Sequence, residues 1–253
     1  MKTTVVVNPK YEHLRSFIAA LPDTFDNSGT VIYDARNQLR EFNVDGLYII
    51  VKRYKVPHIV NQIIYSYFRE SKSARAYHYA LRLLNQGFDT PEPVAYIETS
   101  RKGLFNYSYF VSLRAKNVRL LREFSDFQID GREHIAQALG SYMADLHNAG
   151  IVHEDFSPGN ILFDEKDGKV EFTLIDINRM SFKKLNQEES FQSFRRLYGC
   201  DRFYEIVAKS YAAKRGFDPE LTSERVKRII HEFHDKKNES ILRKQQLKKI
   251  INK

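Results

Sequence analysis

Asp155, Asn160 and Asp176 are the residues whose types and spacing fit a single piece of chemistry. Asp155 lies in the stretch His153-Glu-Asp-Phe-Ser-Pro-Gly-Asn160, and Asp176 follows the apolar run that ends in Leu174-Ile175. Phosphoryl transfer asks a protein for alignment and charge neutralisation rather than covalent chemistry. In such a reaction Asp155 would accept or orient the proton of the attacking hydroxyl. Asn160 would bring a neutral oxygen to magnesium without adding negative charge, and Asp176 would be the ionised ligand that a hard cation favours. His153 is expected to brace the loop by hydrogen bonding, and Pro158-Gly159 to turn the chain so that Asn160 points back at the metal. The catalytic set is thus Asp155, His153 and Asn160, with Asn160 and Asp176 as metal ligands. A bare Asp-x4-Asn carries no information, since both residues are common in loops. The pattern becomes specific only with the histidine before it and a hairpin ending in aspartate after it.

The elements that must position these residues are legible from periodicity. Arg132–Asn148 reads as a helix, with Ile135, Leu139, Tyr142, Met143 and Leu146 at helical spacing and Asn148-Ala-Gly150 as its stop. Ile161–Phe163 and Val170–Ile175 flank an Asp167-Gly168 turn and read as a hairpin, which puts Asp176 at a strand end. Upstream, Thr30–Tyr33, Gln38–Asn43 and Leu47–Tyr54 read as an antiparallel meander. Its third strand carries Lys52 among apolar neighbours, where a point charge can reach the α- and β-phosphates of a nucleotide. Helices are expected at 10–22, His58–Phe68, Ala74–Leu84 and Glu123–Gln128, and strands after Pro91 and over Tyr107–Leu113. From Gln187 onward the pattern is helical, broken at Gly199 and at Gly216-Phe-Asp-Pro219. The composition gives no internal repeats or linkers. The expected organisation is a first lobe over 1–113, holding the nucleotide-binding sheet and helix. A second lobe over 114–253 would hold the catalytic loop, the metal-binding hairpin, further helices and a basic tail.

Bulk composition narrows the partners. The 253 residues carry a formal net charge of +8. Between 226 and 253 nine Lys/Arg face three Asp/Glu, so most of the excess sits in the tail and the body is close to neutral. A nucleic-acid surface is therefore not expected. Apolar runs are too short for a transmembrane helix, and the three valines near the start are too short for a signal-peptide core. Cys200 is the only cysteine, which excludes an internal disulfide and fits a reducing cytoplasm. The stripe Ile59, Val60, Ile63, Ile64, Tyr67, Phe68 adjoins basic residues and, with the tail, is a candidate for contact with an anionic membrane. The tail otherwise reads as a solvated, frayed helix, with Lys248–Lys253 expected to be disordered.

Val51-Lys52-Arg-Tyr54, Thr90-Pro-Glu-Pro-Val-Ala-Tyr96, His153–Leu162 and Ile175-Asp-Ile-Asn-Arg-Met180 together resemble the lipopolysaccharide kinase (Kdo/WaaP, InaA-like) family, over roughly residues 28 to 215. The resemblance implies an α+β, bilobal protein-kinase-like fold, with a small antiparallel-sheet N-lobe and a mainly helical C-lobe. It implies ATP and Mg2+ as cofactors, Asp155 in the catalytic role, Asn160 and Asp176 at the metal and Lys52 at the nucleotide. It also implies transfer of the γ-phosphoryl group to a sugar hydroxyl of the lipopolysaccharide inner core (Kdo or heptose), on the cytoplasmic side of the inner membrane. The acceptor would be a small-molecule or lipid-linked sugar.

Two departures stand out. The turn Tyr33-Asp-Ala-Arg-Asn37 has no glycine where kinases place a glycine-rich loop, and Arg36 is the residue there able to compensate. The glutamate expected to pair with Lys52 is missing near Tyr77 or His78, with Glu70 the nearest acid. These departures keep a pseudokinase-like binding or regulatory module as an alternative. A protein kinase fits less well, since little chain separates Asp176 from the next helix.

Overall fold

Side chains alternate across the strand Leu47–Tyr54 and meet two environments. Ile49 and Val51 are fully buried in a core with Ile18, Leu21 and Phe25. Lys52 stands on the other face, its ammonium 5.3 Å from the ring centre of the buried Tyr54. These features belong to a computed structural model that describes the backbone of residues 1–251 and the side chains of residues 1–246. Of the stretch Lys248–Lys253, where disorder is expected, the backbone is helical to Ile251, and Asn252 and Lys253 lie outside that description.

The chain forms two compact units. The first comprises Met1–Lys116 together with Thr173–Asn178. It runs through β1 (Lys2–Val7), a 3-10 turn at Pro9–Leu14, α1 (Arg15–Thr24), β2 (Thr30–Asp34), β3 (Gln38–Val44) and β4 (Leu47–Tyr54). α2 (Ile59–Tyr67), α3 (Lys72–Asn85), β5 (Pro93–Arg101) and β6 (Leu104–Leu113) follow. The strands make one six-stranded sheet in the order β1-β5-β6-β4-β3-β2. The meander expected over 30–54 is therefore present as one half of it.

β1 was not expected. It pairs antiparallel with β5, placing Val5 opposite Ile97 and Val7 opposite Ala95, and this distant pairing is what makes a strand of so short an apolar run. β5 and β6 are longer than periodicity suggested and meet at a tight turn in which Lys102 and Gly103 both have positive φ. On the α1 side, the Arg53 guanidinium stacks 4.6 Å from the Phe25 ring and donates to the Asp26 carboxylate at 2.6 and 2.8 Å. α3 starts where Ser71 Oγ accepts the Ala74 N–H at 3.1 Å, and it buries Ala76, Tyr77, Ala80 and Leu83. α2 buries none of its residues fully.

The second unit comprises Asn117–Phe172 and Arg179–Lys253. A two-residue strand β7 (Arg119–Leu120) leads into a 3-10 helix at Leu121–Asp126, in place of the α-helix expected at Glu123–Gln128. Then come α4 (Glu133–Asn148), β8 (Ile151–His153), β9 (Ile161–Lys166) and β10 (Lys169–Leu174), whose last two residues belong to the first unit. β11 (Met180–Phe182), α5 (Gln187–Gln192), α6 (Asp201–Arg215) and α7 (Pro219–Ile251) complete it. α4 and α6 are its central pair. Leu139, Met143 and Leu146 of α4 are buried with Val207 and Tyr211 of α6, and α7 adds Val226, Ile229 and Ile230. The two helices approach closely at Gly140, where a Cβ would lie 2.3 Å from the Val207 carbonyl oxygen. No larger residue fits at that crossing without moving a helix.

Candidate active site

In the first unit, Lys52 Nζ donates to Asp176 Oδ1 at 2.5 Å. The lysine side chain is 15% exposed and the aspartate 35%. Asn178 Nδ2 donates to the same oxygen. Asp176 itself has φ +54°, a left-handed conformation that aspartate tolerates better than most residues. Its segment is fixed just upstream, where Leu174 N–H donates to the Asp89 carbonyl at 3.0 Å and Thr90 Oγ1 donates to the Leu174 carbonyl at 2.7 Å. The Tyr54 hydroxyl is held strongly protonated, first by burial and then by the negative charge of Asp176. The two positions named for a missing glutamate are otherwise engaged. Tyr77 is buried with its ring 5.4 Å from that of Tyr96, and His78 pairs with Glu70 at 3.1 Å. The carboxylate that meets Lys52 is Asp176. Arg36 is exposed in the β2–β3 turn and bonds no other described residue; the turn closes through the Ala35 N–H on the Asn37 carbonyl at 3.3 Å.

In the second unit, the loop after β8 is built from its own polar groups. His153 is buried at the end of β8, opposite Met180 of β11. Its Nδ1 accepts the Asp155 N–H at 3.1 Å, so this nitrogen serves the loop. The Asp155 carbonyl accepts the Ser157 N–H at 2.8 Å and the Asn160 side-chain amide at 2.9 Å. Asn160 N–H closes the turn on the Ser157 carbonyl at 2.8 Å. With its NH2 group so used, Asn160 keeps its Oδ1 without a partner among the described residues. Asn160 Oδ1 and the Asp176 carboxylate, each in its own unit, are oxygen donors, the type that suits magnesium.

The Asp155 carboxylate is flanked by two arginines that the sequence did not single out. Arg196 Nη1 lies 3.2 Å from Oδ1 and Arg179 Nη1 3.6 Å from Oδ2. Glu154 beside it accepts from Ser181 Oγ at 2.7 Å and has Arg195 at 3.9 Å. Arg122 lies against Gly159, where a Cβ would meet its Nη2 at 2.5 Å. Arg179 stood inside a recognisable motif without any signal of its role. Arg196 lies outside every motif quoted from the sequence.

The sequence pattern of the Lipopolysaccharide kinase (Kdo/WaaP) family matches residues 37–233. The chain is 28% identical over 145 residues to a 3-deoxy-D-manno-octulosonic acid kinase of Vibrio parahaemolyticus serotype O3:K6, covering 54% of this chain and 58% of that protein. It is 31% identical over 137 residues to a protein of the same name from Xanthomonas axonopodis pv. citri, covering 51% and 52%. The chain therefore aligns with little more than half the length of these curated relatives. A solved structure of WaaP in complex with acyl carrier protein superposes with a TM-score of 0.63 at 16% identity, over 91% of this chain and 99% of that one. That likeness concerns the fold, which is α+β and protein-kinase-like. With the family pattern covering most of its length, the chain belongs to the Lipopolysaccharide kinase (Kdo/WaaP) family.

Proposed function

We propose that this protein transfers the γ-phosphoryl group of ATP to a hydroxyl of a sugar in the lipopolysaccharide inner core. The two curated relatives are named as 3-deoxy-D-manno-octulosonic acid kinases, which favours that acid over heptose as the acceptor. The observation that carries the reading is the loop from His153 to Asn160. His153 and Asn160 spend hydrogen bonds on the Asp155 backbone, so the loop is held without drawing on its carboxylate, whose neighbours are Arg196 and Arg179. In this reading Asp155 orients the hydroxyl and receives its proton, and His153 holds the loop. Lys52 neutralises the α- and β-phosphates, with Arg36 as a second cation near the nucleotide. Asn160 and Asp176 hold Mg2+, which when bound offsets negative charge on the phosphate oxygens.

The same reading places the protein on the cytoplasmic face of the inner membrane as a peripheral protein. No helix among the described residues is long and apolar enough to cross a membrane. Ile59, Val60, Ile63, Tyr67 and Phe68 are exposed on or beside α2, next to the exposed Arg69, as a surface-binding face requires.

The test is mass spectrometry of core oligosaccharide from cells carrying the unaltered protein, none, or Asp155→Asn. The phosphate count should fall by one in the last two. An unchanged count in all three would sink the lipopolysaccharide assignment, and absence of ATP-dependent transfer to any sugar would sink the kinase reading.

A further inference from the structure

The two guanidinium groups beside Asp155 are more than that carboxylate needs. One ionised aspartate is balanced by one arginine, yet Arg196 addresses Oδ1 and Arg179 addresses Oδ2, leaving a local excess of positive charge where the acceptor hydroxyl must arrive. Neither contact is tight. Charge-assisted N–H to carboxylate bonds settle at about 2.7–2.9 Å, and these span 3.2 and 3.6 Å. Each arginine therefore has capacity for a second anion. Arg196 shows this most directly. Its guanidinium packs 5.3 Å from the Phe233 ring, which fixes its plane and buries its Nε, so the Nη end is the part that an incoming group can reach. The side chain as a whole is 35% exposed, and its only carboxylate contact among the described residues is the 3.2 Å one to Asp155. Arg179 is half-exposed, so most of its donor edge is open to an incoming group.

From this we infer that Arg179 and Arg196 recognise the acceptor through a carboxylate carried by the sugar itself, and so bring its hydroxyl to Asp155. The inference rests on the sugar-kinase reading above and adds the acceptor's charge to it. A planar carboxylate matches the donor fork of a guanidinium in a way a neutral hydroxyl does not. A neutral sugar would leave the excess charge unanswered. Arg179 and Arg196 are specificity residues here; the proton is still handled by Asp155.

The experiment compares a lipid-linked 3-deoxy-D-manno-octulosonic acid acceptor with its carboxyl methyl ester, in the full-length protein with ATP and Mg2+. The unaltered protein is expected to favour the acid by about 10- to 100-fold in kcat/KM, the range of one hydrogen-bonded charge. Arg179→Ala and Arg196→Ala should each raise KM for the acid by a clearly larger factor than KM for the ester, and leave KM for ATP in place. Arg196→Lys should recover part of the loss, because it keeps charge but not the fork. Should Arg196→Ala fold poorly through loss of its packing on Phe233, the half-exposed Arg179→Ala carries the test alone. Equal use of acid and ester by the unaltered protein, or equal damage to both substrates in the variants, overturns the inference while leaving the kinase reading intact. No transfer to either acceptor by the unaltered protein overturns both.

Discussion

Lys52 on β4 and Asp176, 124 positions further along the chain, share a hydrogen bond of 2.5 Å. The pair is partly shielded from water, with Asn178 as a second donor to the same carboxylate oxygen. Removing one member of such a pair leaves a desolvated charge without its complement, whereas removing both leaves none. Lys52→Met and Asp176→Asn are each expected to destabilise the protein by about 1–3 kcal/mol, and the double variant by clearly less than the sum. Urea unfolding of the four proteins measures this; simple additivity would show that the two side chains are not coupled.

The roles proposed for Lys52 and Asp155 separate kinetically. Lys52→Met should weaken ATP binding and lower kcat/KM on the order of 10²-fold, since it withdraws a fixed charge from the phosphates. Asp155→Asn keeps the size of the side chain and the backbone bonds of the loop. It should lower kcat by about 10²–10⁴-fold with ATP affinity nearly retained, as for loss of a general base. Steady-state kinetics with calorimetric ATP titration distinguishes them; equal loss of ATP binding in both would contradict the assignment.

Gly140 lies where α4 and α6 approach closely. A methyl group there meets the Val207 carbonyl oxygen and the Ser210 Cβ, neither of which is the far end of a flexible chain. Gly140→Ala is expected to cost about 1–3 kcal/mol despite the better helix propensity of alanine, because overpacking outweighs the propensity gain. Thermal denaturation checks the sign: a raised Tm would show that the helices separate freely. Gly159→Ala meets only the tip of Arg122, a flexible side chain, and should be much milder.

His147 gives the fold an acid-sensitive point. Burial, and secondarily the charge of Arg215, push its pKa from 6.5 down to about 3, while its Nδ1 is 2.7 Å from the Tyr211 hydroxyl. Between those values the unfolded chain takes up a proton that the folded one refuses. Stability is therefore whole above about pH 6.5 and declines as pH falls towards 3, with a limiting slope of about 1.4 kcal/mol per pH unit from this group. His147→Gln should flatten the fall in Tm between pH 7 and pH 5. An identical pH dependence would assign the acid sensitivity to other groups.

What was legible in the sequence was what local pattern determines. The meander at 30–54 and the helix at Arg132–Asn148 follow from apolar period and turn residues, and the Asp167-Gly168 turn from its residue types, both of which take positive φ. The family match at 37–233 lies where the quoted motifs stand. What escaped depends on partners far away in the chain. β1 is a strand only because β5 lies beside it. The missing glutamate was sought on the helix after Lys52, whereas the carboxylate that reaches the lysine arrives with Asp176. Arg196 carries no local signature at all, since its meaning depends on its distance to Asp155.

The segment Thr173–Asn178 belongs to the first unit although all of 117–172 intervenes. A chain made from its N-terminus emerges at about 5–20 residues per second, and domains tend to fold as they appear. The first 116 residues could organise their six-stranded sheet early, but Lys52 would face its environment alone until the ribosome had passed Asp176. Maturation of the lysine's surroundings is thus tied to translation of the second unit, and a nascent or truncated chain ending before residue 176 carries the cation without its carboxylate.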